Sequence, residues 1–383
     1  MQIIGGGAIG CSAAYFLTRH PKYDPKRHLV TLLEATKVAG GASGKAGGCL
    51  ANWATPTCLA PLSFQLHAEL AAQHDGAKHW GYRRTYALDC ETRSEGSNQA
   101  TPPTSNGLPD PDRMPDWIYP GRLRCADELG NPSNTGQVHP YLYTNFLAAQ
   151  AKAAGVDLIL ASATEINYSE NNTTVESVSY KPMESETAEK LKADYIILAA
   201  GPWTPNLLPK TPISGARSHS IVLSVPTSKT SPDILFFDRP DPNSWFPKLE
   251  VYPRPDDSTY VCGPTDWRVP LPPSTDLVEV DPESCKLIRR AAETLSSQFV
   301  GQKLLAEQAC YRPVVRVPGR DRSVGPLFGE TSVAGLILAS GHDEWGILNS
   351  AATGKIISEL VFDGRAISAD ISTMDPKNVL QML

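Results

Sequence analysis

Near its start the chain carries Gly5-Gly6-Gly7-Ala8-Ile9-Gly10, directly behind a short apolar run and ahead of a helical pattern. In a G-x-G-x-x-G spacing the first glycine permits a tight turn and the second opens the backbone to a pyrophosphate. The third lets the following helix lie close on the strand. The unpaired N–H groups and dipole of that helix then face the phosphates. Glu34-Ala35 ends the next strand, 24 residues after Gly10, where a carboxylate accepts from ribose hydroxyls and opposes a 2′-phosphate. The chemistry indicated is dinucleotide binding, and this turn alone does not separate FAD from NAD.

The elements that must hold the turn follow from hydrophobic spacing. Met1–Ile4 reads as a strand and Ala8 to Arg19 as a helix, with Ile9, Ala13, Phe16 and Leu17 on one face. Residues 29–33 form an apolar run without polar alternation, as a buried parallel strand requires. A second glycine-rich stretch covers Gly40 to Gly48. Further helices are expected at 61–80, 140–154, 283–300 and 351–362, and further strands at 81–88, 156–160, 194–198 and 335–339. Residues 91–115 are polar and Pro-rich, which predicts a solvated loop. Residues 220–273 alternate and carry many prolines and aromatics, which predicts an antiparallel sheet.

Parallel-sheet segments thus fall at the start, middle and end, with antiparallel material between. The fold class expected is α/β (α+β overall): a discontinuous Rossmann-type domain from 1–60, 137–205 and 310–383, and an inserted domain from 61–136 and 206–309. At 383 residues two domains are plausible by size. A formal charge of −6 lacks the basic surplus that nucleic-acid binding needs. No apolar run approaches the roughly 20 residues of a membrane helix. The first four residues offer no secretion signal, and the eight cysteines include no CxxC pair, so neither a disulfide scaffold nor a metal site is expected. The expected setting is the reducing cytoplasm.

Several ordered landmarks resemble the D-amino-acid oxidase superfamily of flavoproteins, with glycine, sarcosine and fructosyl-amine oxidases among its members. They are the glycine turn with Glu34, the loop Gly41-Ala42-Ser43-Gly44, and Val138-His139-Pro140. Ala199-Ala200-Gly201-Pro202-Trp203 follows, then Tyr311-Arg312-Pro313, and Ser340-Gly341-His342 with Gly346 before the last helix. The variant GASGKAGG is similar to a little-characterised branch frequent in fungi.

The resemblance implies FAD, a small amine or amino-acid substrate, and O2 or another electron acceptor. It implies that Ala42, Ser43, Gly44, Lys45, Ala46, Gly47 and Gly48 pass along the flavin, that Thr164 lies in a strand beside adenine, and that Ala200, Gly201 and Trp203 pass the cofactor. It also implies that Gly341, His342, Trp345, Gly346 and Ile347 bring a helix N-terminus to the flavin edge. Arg312 is expected to clamp a substrate carboxylate, with His342 beside it and Tyr252, Arg254 and Trp267 on the opposite wall.

Two departures bear on mechanism. Relatives that bind FAD covalently use Cys-x-Tyr, whereas Ala309-Cys310-Tyr311 puts alanine at that place, so non-covalent FAD is expected. The stretch Thr259–Gly263 lacks the oxygen-activating lysine of the family, with Lys45 and Lys248 as the nearest alternatives. The function expected is oxidation of a C–N bond by hydride transfer to FAD. A nicotinamide dehydrogenase, or an FAD protein serving binding or trafficking, remains open.

Overall fold

The computed structural model describes residues 1–92, 115–119, 122–185, 187–237, 245–317, 319 and 323–380. Its frame is an eight-stranded sheet. The parallel centre runs from β3 (Asp157–Tyr168) through β2 (Thr31–Glu34), β1 (Gln2–Ile4) and β4 (Ile196–Leu198) to β9 (Leu336–Ser340). The antiparallel strands Val175–Pro182, Glu189–Lys192 and Leu327–Glu330 complete its edges. The central strands are apolar and buried because helices cover one face and further apolar packing covers the other.

The covering helices are α1 (Ala8–Leu17), α2 (Ala60–Gln73), α3 (Pro140–Ala153) and α5 (Gly346–Asp363). Helices α1 and α5 pack at close range. An added Cβ at Gly354 would lie 2.5 Å from the Ser12 carbonyl carbon, so a larger residue would push them apart.

A seven-stranded sheet supplies the second layer. It runs from β8 (Leu304–Val315) through β5 (Ile213–Ser224), β7 (Ser258–Asp266) and β6 (Leu249–Pro253) to Ile234–Phe237, Ala87–Thr92 and Leu123–Gly130. All pairings are antiparallel except that of Ile234–Phe237 with Ala87–Thr92. Period-two alternation sorts its faces. Leu235, Val251 and Val261 pack with Ile288 and Leu295 of helix α4 (Pro282–Leu295). Phe236, Tyr252 and Tyr260 point the other way, into a cavity shared with the parallel sheet. A three-stranded sheet (Cys49–Ala51, Thr135–Gln137, Arg83–Arg84) lies beside them.

The expected fold class is the observed one, with local differences. The 61–80 helix is two helices, broken where Asp75 takes a left-handed φ of 51° before Gly76–Trp80. The strand expected at 81–88 divides between two sheets, and α4 stops at Leu295. The 91–115 loop begins after Thr92, which is still strand, and its remainder up to 114 lies outside the described residues. The strand expected at 156–160 continues to Tyr168. Strand β8 belongs to the antiparallel sheet throughout, so that sheet extends beyond the expected 220–273 and takes in residues 310–315, which were expected in the Rossmann-type segment. Among the described residues no helix is long and apolar enough to cross a membrane.

Candidate functional site

Strand β1 is held by parallel partners on both sides, and its chain turns at Gly5, whose N–H donates to Leu33 O at 2.8 Å. Gly5 has φ 109°, and a Cβ there would lie 2.3 Å from Ala199 O. A Cβ at Gly10 would lie 1.9 Å from Gly5 O, so only glycine lets α1 start this close to β1. Gly7 differs: an added Cβ would meet just the Ser43 side chain, leaving its backbone open toward the cavity. The Ala8 N–H donates to Ser43 Oγ at 2.8 Å, which ties the second glycine loop to the first turn of α1. Glu34 accepts from Gly6 N at 2.7 Å and from Thr36 N at 2.9 Å, and stays against the cavity beside Ala35.

The loop Ala42–Gly48 is fastened to the antiparallel sheet by three bonds. Lys45 Nζ donates to Ala309 O at 2.8 Å, Tyr260 Oη to Lys45 O at 2.9 Å, and Arg254 Nη2 to Ala46 O at 3.0 Å. Burial lowers the Lys45 pKa, with the neighbouring Cys310 opposing. Gly47 is small because the Tyr252 ring occupies the space of a side chain, 2.4 Å from an added Cβ.

At the far end Ser340 Oγ donates to Gly201 O at 2.9 Å, joining the last strand to the Ala199–Trp203 segment. Trp203 Nε1 donates to Pro272 O at 2.7 Å. The chain turns at Gly341 (φ 84°) and passes through a short 3-10 turn, Asp343–Trp345. Helix α5 starts at Gly346, five residues before the expected Ala351, so Gly346 and Ile347 form its first turn against the cavity. His67 of α2, fully buried, faces the Ile347 and Leu348 carbonyls at 3.1 and 3.0 Å from Nε2. Burial pushes its pKa down to about 4, so Nε2–H of a neutral ring donates there.

These segments enclose one cavity of about 800 Å³, within the range of roughly 300–1,000 Å³ for ligand sites. Most of the residues singled out in the sequence line it. Gly10, Gly44 and Gly341 do not; they shape turns behind it. Thr164 does not either. It sits at a register shift of β3, where its Oγ1 donates to Ser179 O at 3.1 Å, and Ala161 to Ala163 line the cavity in its place. Arg254 lies behind the wall, its guanidinium 5.0 Å from the Tyr260 ring centroid, whereas Tyr252 and Trp267 line the cavity as expected. Cys310 faces the cavity and Ala309 does not, which removes the strand-alternation argument against a cysteine at the flavin. Burial raises the Cys310 pKa, against opposing pulls from Lys45 and Arg312, and keeps it a thiol.

The Arg312 guanidinium is already engaged. Nη1 donates to Asp343 at 2.8 Å and Glu344 at 2.7 Å, and Nη2 donates to Thr265 Oγ1 at 2.8 Å. Burial alone would lower its pKa; the neighbouring carboxylates outweigh that and raise it. His342 is buried, with Nε2 3.1 Å from Thr353 Oγ1 and its pKa pushed down by burial to about 3. It is a neutral hydrogen-bonding group and a poor proton acceptor at neutral pH. The residues that sequence spacing missed are Trp53, Glu250 and Thr265, with the acids Asp343 and Glu344. Glu250 was visible as an acid set into an alternating apolar strand; Trp53 and Thr265 carry no local signal.

The residues fit FAD: a bare glycine turn, an acid at the second strand, and a helix N-terminus at the other end of one cavity. The family profile for FAD-dependent oxidoreductases of the D-amino-acid oxidase (DAO) type matches residues 2–360. The chain belongs to this family. FAD is its cofactor. Two fungal relatives span nearly the whole chain, both provisionally named as oxidoreductases. The Schizosaccharomyces pombe protein is 35% identical over 99% of this chain and 98% of its own. TDA3 of Saccharomyces cerevisiae is 32% identical over 98% of this chain and 94% of its own. Among solved structures, L-proline dehydrogenase from P. horikoshii superposes with a TM-score of 0.76 at 15% identity, covering 100% of this chain and 97% of that one. Glycine oxidase from Bacillus cereus gives 0.71 at 20% identity, covering 95% of each. These structures share the family's fold.

Proposed function

We propose that the chain oxidises the C–N bond of a small amine or amino acid, with FAD held non-covalently. The observation that carries this reading is the single cavity that joins the Rossmann turn, the Ala42–Gly48 loop and the first turn of α5 to a wall of the antiparallel sheet. Bound FAD supplies the two-electron acceptor: hydride leaves the carbon α to nitrogen, a proton leaves the nitrogen, and water adds to the imine to give carbonyl and amine.

This chain's residues do the positioning. Gly5, Gly7 and the N-terminus of α1 receive the pyrophosphate and Glu34 the ribose. The N-terminus of α5, at Gly346 and Ile347, offers positive dipole charge to developing negative charge. Tyr252, Tyr260 and Trp345 narrow the substrate end and exclude water. His342 stays neutral and holds no proton for the reaction. The thiol form of Cys310 disfavours a covalent bond to FAD.

In this reading the parallel sheet holds the cofactor and the seven-stranded sheet forms the substrate wall. The seven described cysteines are free, in keeping with a reducing, cytoplasmic setting. O2 or another acceptor reoxidises FAD. Lys45 and Lys248 line the cavity as the cations available to assist O2. Absorbance before and after acid precipitation tests the cofactor state: flavin bands that move to the supernatant support it, and bands kept in the pellet contradict it. An amine panel followed by flavin bleaching without oxygen, then by peroxide with oxygen, tests the reaction. An FAD-loaded protein that no amine reduces would sink this reading and favour a binding role.

A further inference from the structure

A second pocket, of about 420 Å³, lies behind the Ala42–Gly48 loop. Gly40 and Lys45 line both this pocket and the flavin cavity. Its other walls come from Lys37, the start of α3, the turn between β6 and β7, and strands β5 and β8. The proposed reaction makes no use of it.

Three cations line the pocket, Lys37, Lys45 and Arg254, against one carboxylate, Asp256. Asp256 is exposed and already accepts from Ser258 Oγ at 2.6 Å. Arg83, outside the pocket, also acts on Asp256 and takes up part of its charge. The neighbouring acids do not restore neutrality. Asp257 does not line the pocket, and its carboxylate accepts from Thr227 N at 2.7 Å. Glu307 alternates to the other face of β8, where it acts on Cys285 of α4. His139 is neutral, its pKa pushed down to about 4 by burial and then by Arg254, with Asp256 opposing. Three cations against one carboxylate leave a formal charge of +2.

The pocket also holds donors without acceptors. Arg254 is 5% exposed, and among the described residues no carboxylate stands in ion-pair contact with it. Its Nη2 donates to Ala46 O at 3.0 Å and its Nη1 to His139 Nε2 at 3.4 Å, while its Nε–H has no partner. Since Nε2 of the neutral His139 ring accepts, the ring proton sits on Nδ1, a second donor without a partner. Both residues line this pocket and not the flavin cavity. Helix α3 begins here as well. Tyr141 of its first turn lines the pocket, and no side chain caps the helix, so unpaired N–H groups and the positive dipole end lie at the same place. A buried guanidinium without a carboxylate is costly, and an anion in the pocket would offset that cost.

We propose that this second pocket is an anion site that takes a phosphate group, free or carried on a small molecule. Arg254 is its anchor, and Lys37 and the first turn of α3 complete it. A dianion matches the surplus of +2, a guanidinium offers forked donors to phosphate oxygens, and a helix N-terminus adds backbone N–H groups. The volume lies within the range of small-molecule sites, which leaves room for a substituent on the phosphate.

The test uses the full chain loaded with FAD, so that the pyrophosphate subsite of the first glycine turn is already filled. Inorganic phosphate, phenyl phosphate and acetate are titrated by calorimetry at constant ionic strength and mildly alkaline pH, where phosphate is a dianion. The expected result is one phosphate per chain, with acetate about tenfold weaker or more. Lys37→Gln should weaken phosphate about fivefold, and Arg254→Lys, which keeps the charge but loses the fork, about tenfold. Asp256→Asn should act in the opposite sense and tighten phosphate about threefold, a gain that a merely structural residue would not give. Lys37 and Asp256 are both exposed, and retained FAD verifies the fold of each variant. Tighter binding of phenyl phosphate supports the site with a carried phosphate as its ligand, and tighter binding of inorganic phosphate supports it with the free ion. No phosphate binding, acetate binding of equal strength, or a phosphate affinity that neither Lys37→Gln nor Asp256→Asn changes overturns the inference.

Discussion

The two ends of the cavity are built on opposite principles. The cofactor end is backbone: Gly5 and Gly10 have no room for a side chain, Gly7 is bare, and two helix N-termini supply dipoles. The proposed substrate end is side chain: Arg312 from β8, Thr265 from β7, Glu250 from β6 and two acids from the turn before α5 converge there. A backbone site needs residues close in sequence and shows itself as a motif. A side-chain site is assembled across about 95 residues, counting from Glu250 to Glu344 in the chain, and a neighbour can invert what one residue does.

The largest test of this contrast is Gly10→Ala. With the added Cβ 1.9 Å from Gly5 O, the turn must open. FAD affinity should fall by about a hundredfold or more, on the order of 3 kcal/mol, seen as colourless protein after dialysis. Full flavin content in that variant would break the claim that the turn has no slack.

The next concerns the support of α5. His67 titrates at about 6.5 when unfolded and is pushed to about 4 by burial in the folded chain. Between those values the unfolded chain binds the extra proton, so stability falls as pH drops from about 6.5 and levels below about 4. The shift corresponds to about 3 kcal/mol, and His139 and His342, also held neutral, act in the same direction. Melting temperatures across that window should show the loss, and His67→Gln should flatten part of it. A variant with the same acid slope would remove His67 from this role.

A smaller effect is expected at Glu34. In Glu34→Gln one acceptor for Gly6 N or the ribose is lost, worth about 1 kcal/mol or a fivefold weaker FAD affinity. Smallest is Trp203→Phe, which removes the bond to Pro272 O and should cost under about 1 kcal/mol of stability with FAD retained. A Trp203 effect larger than that of Gly10 would reverse the ranking of the two ends.

The sequence was legible where local geometry dictates residue type. The glycine turn, Glu34, the buried parallel strands and the Gly341 turn all follow from φ, close approach or burial on both faces, each readable within a few residues. The start of α5 was misplaced because Gly346, a poor helix former, is held at the helix N-terminus by packing on α2 rather than by a capping side chain. Thr164 was misjudged because a bulge in β3 shifts the parity that places side chains. Arg312 was found but its partners were not, since nothing at Tyr311-Arg312-Pro313 shows that Asp343 and Glu344 meet it. The shortness of β1 has a matching explanation. Its three residues are held by β2 and β4 on either side, and α1 is clamped by α5 through Gly354, so distant parts of the chain keep the first turn in place.

The central claim, an FAD-loaded cavity that oxidises C–N bonds, is tested most directly by the flavin absorbance of the purified full chain during anaerobic titration with an amine. The predicted result is a flavin spectrum, released by acid, whose long-wavelength band bleaches as amine is added. A colourless protein that tightens on NADH, or a flavin band that no amine diminishes, would contradict it.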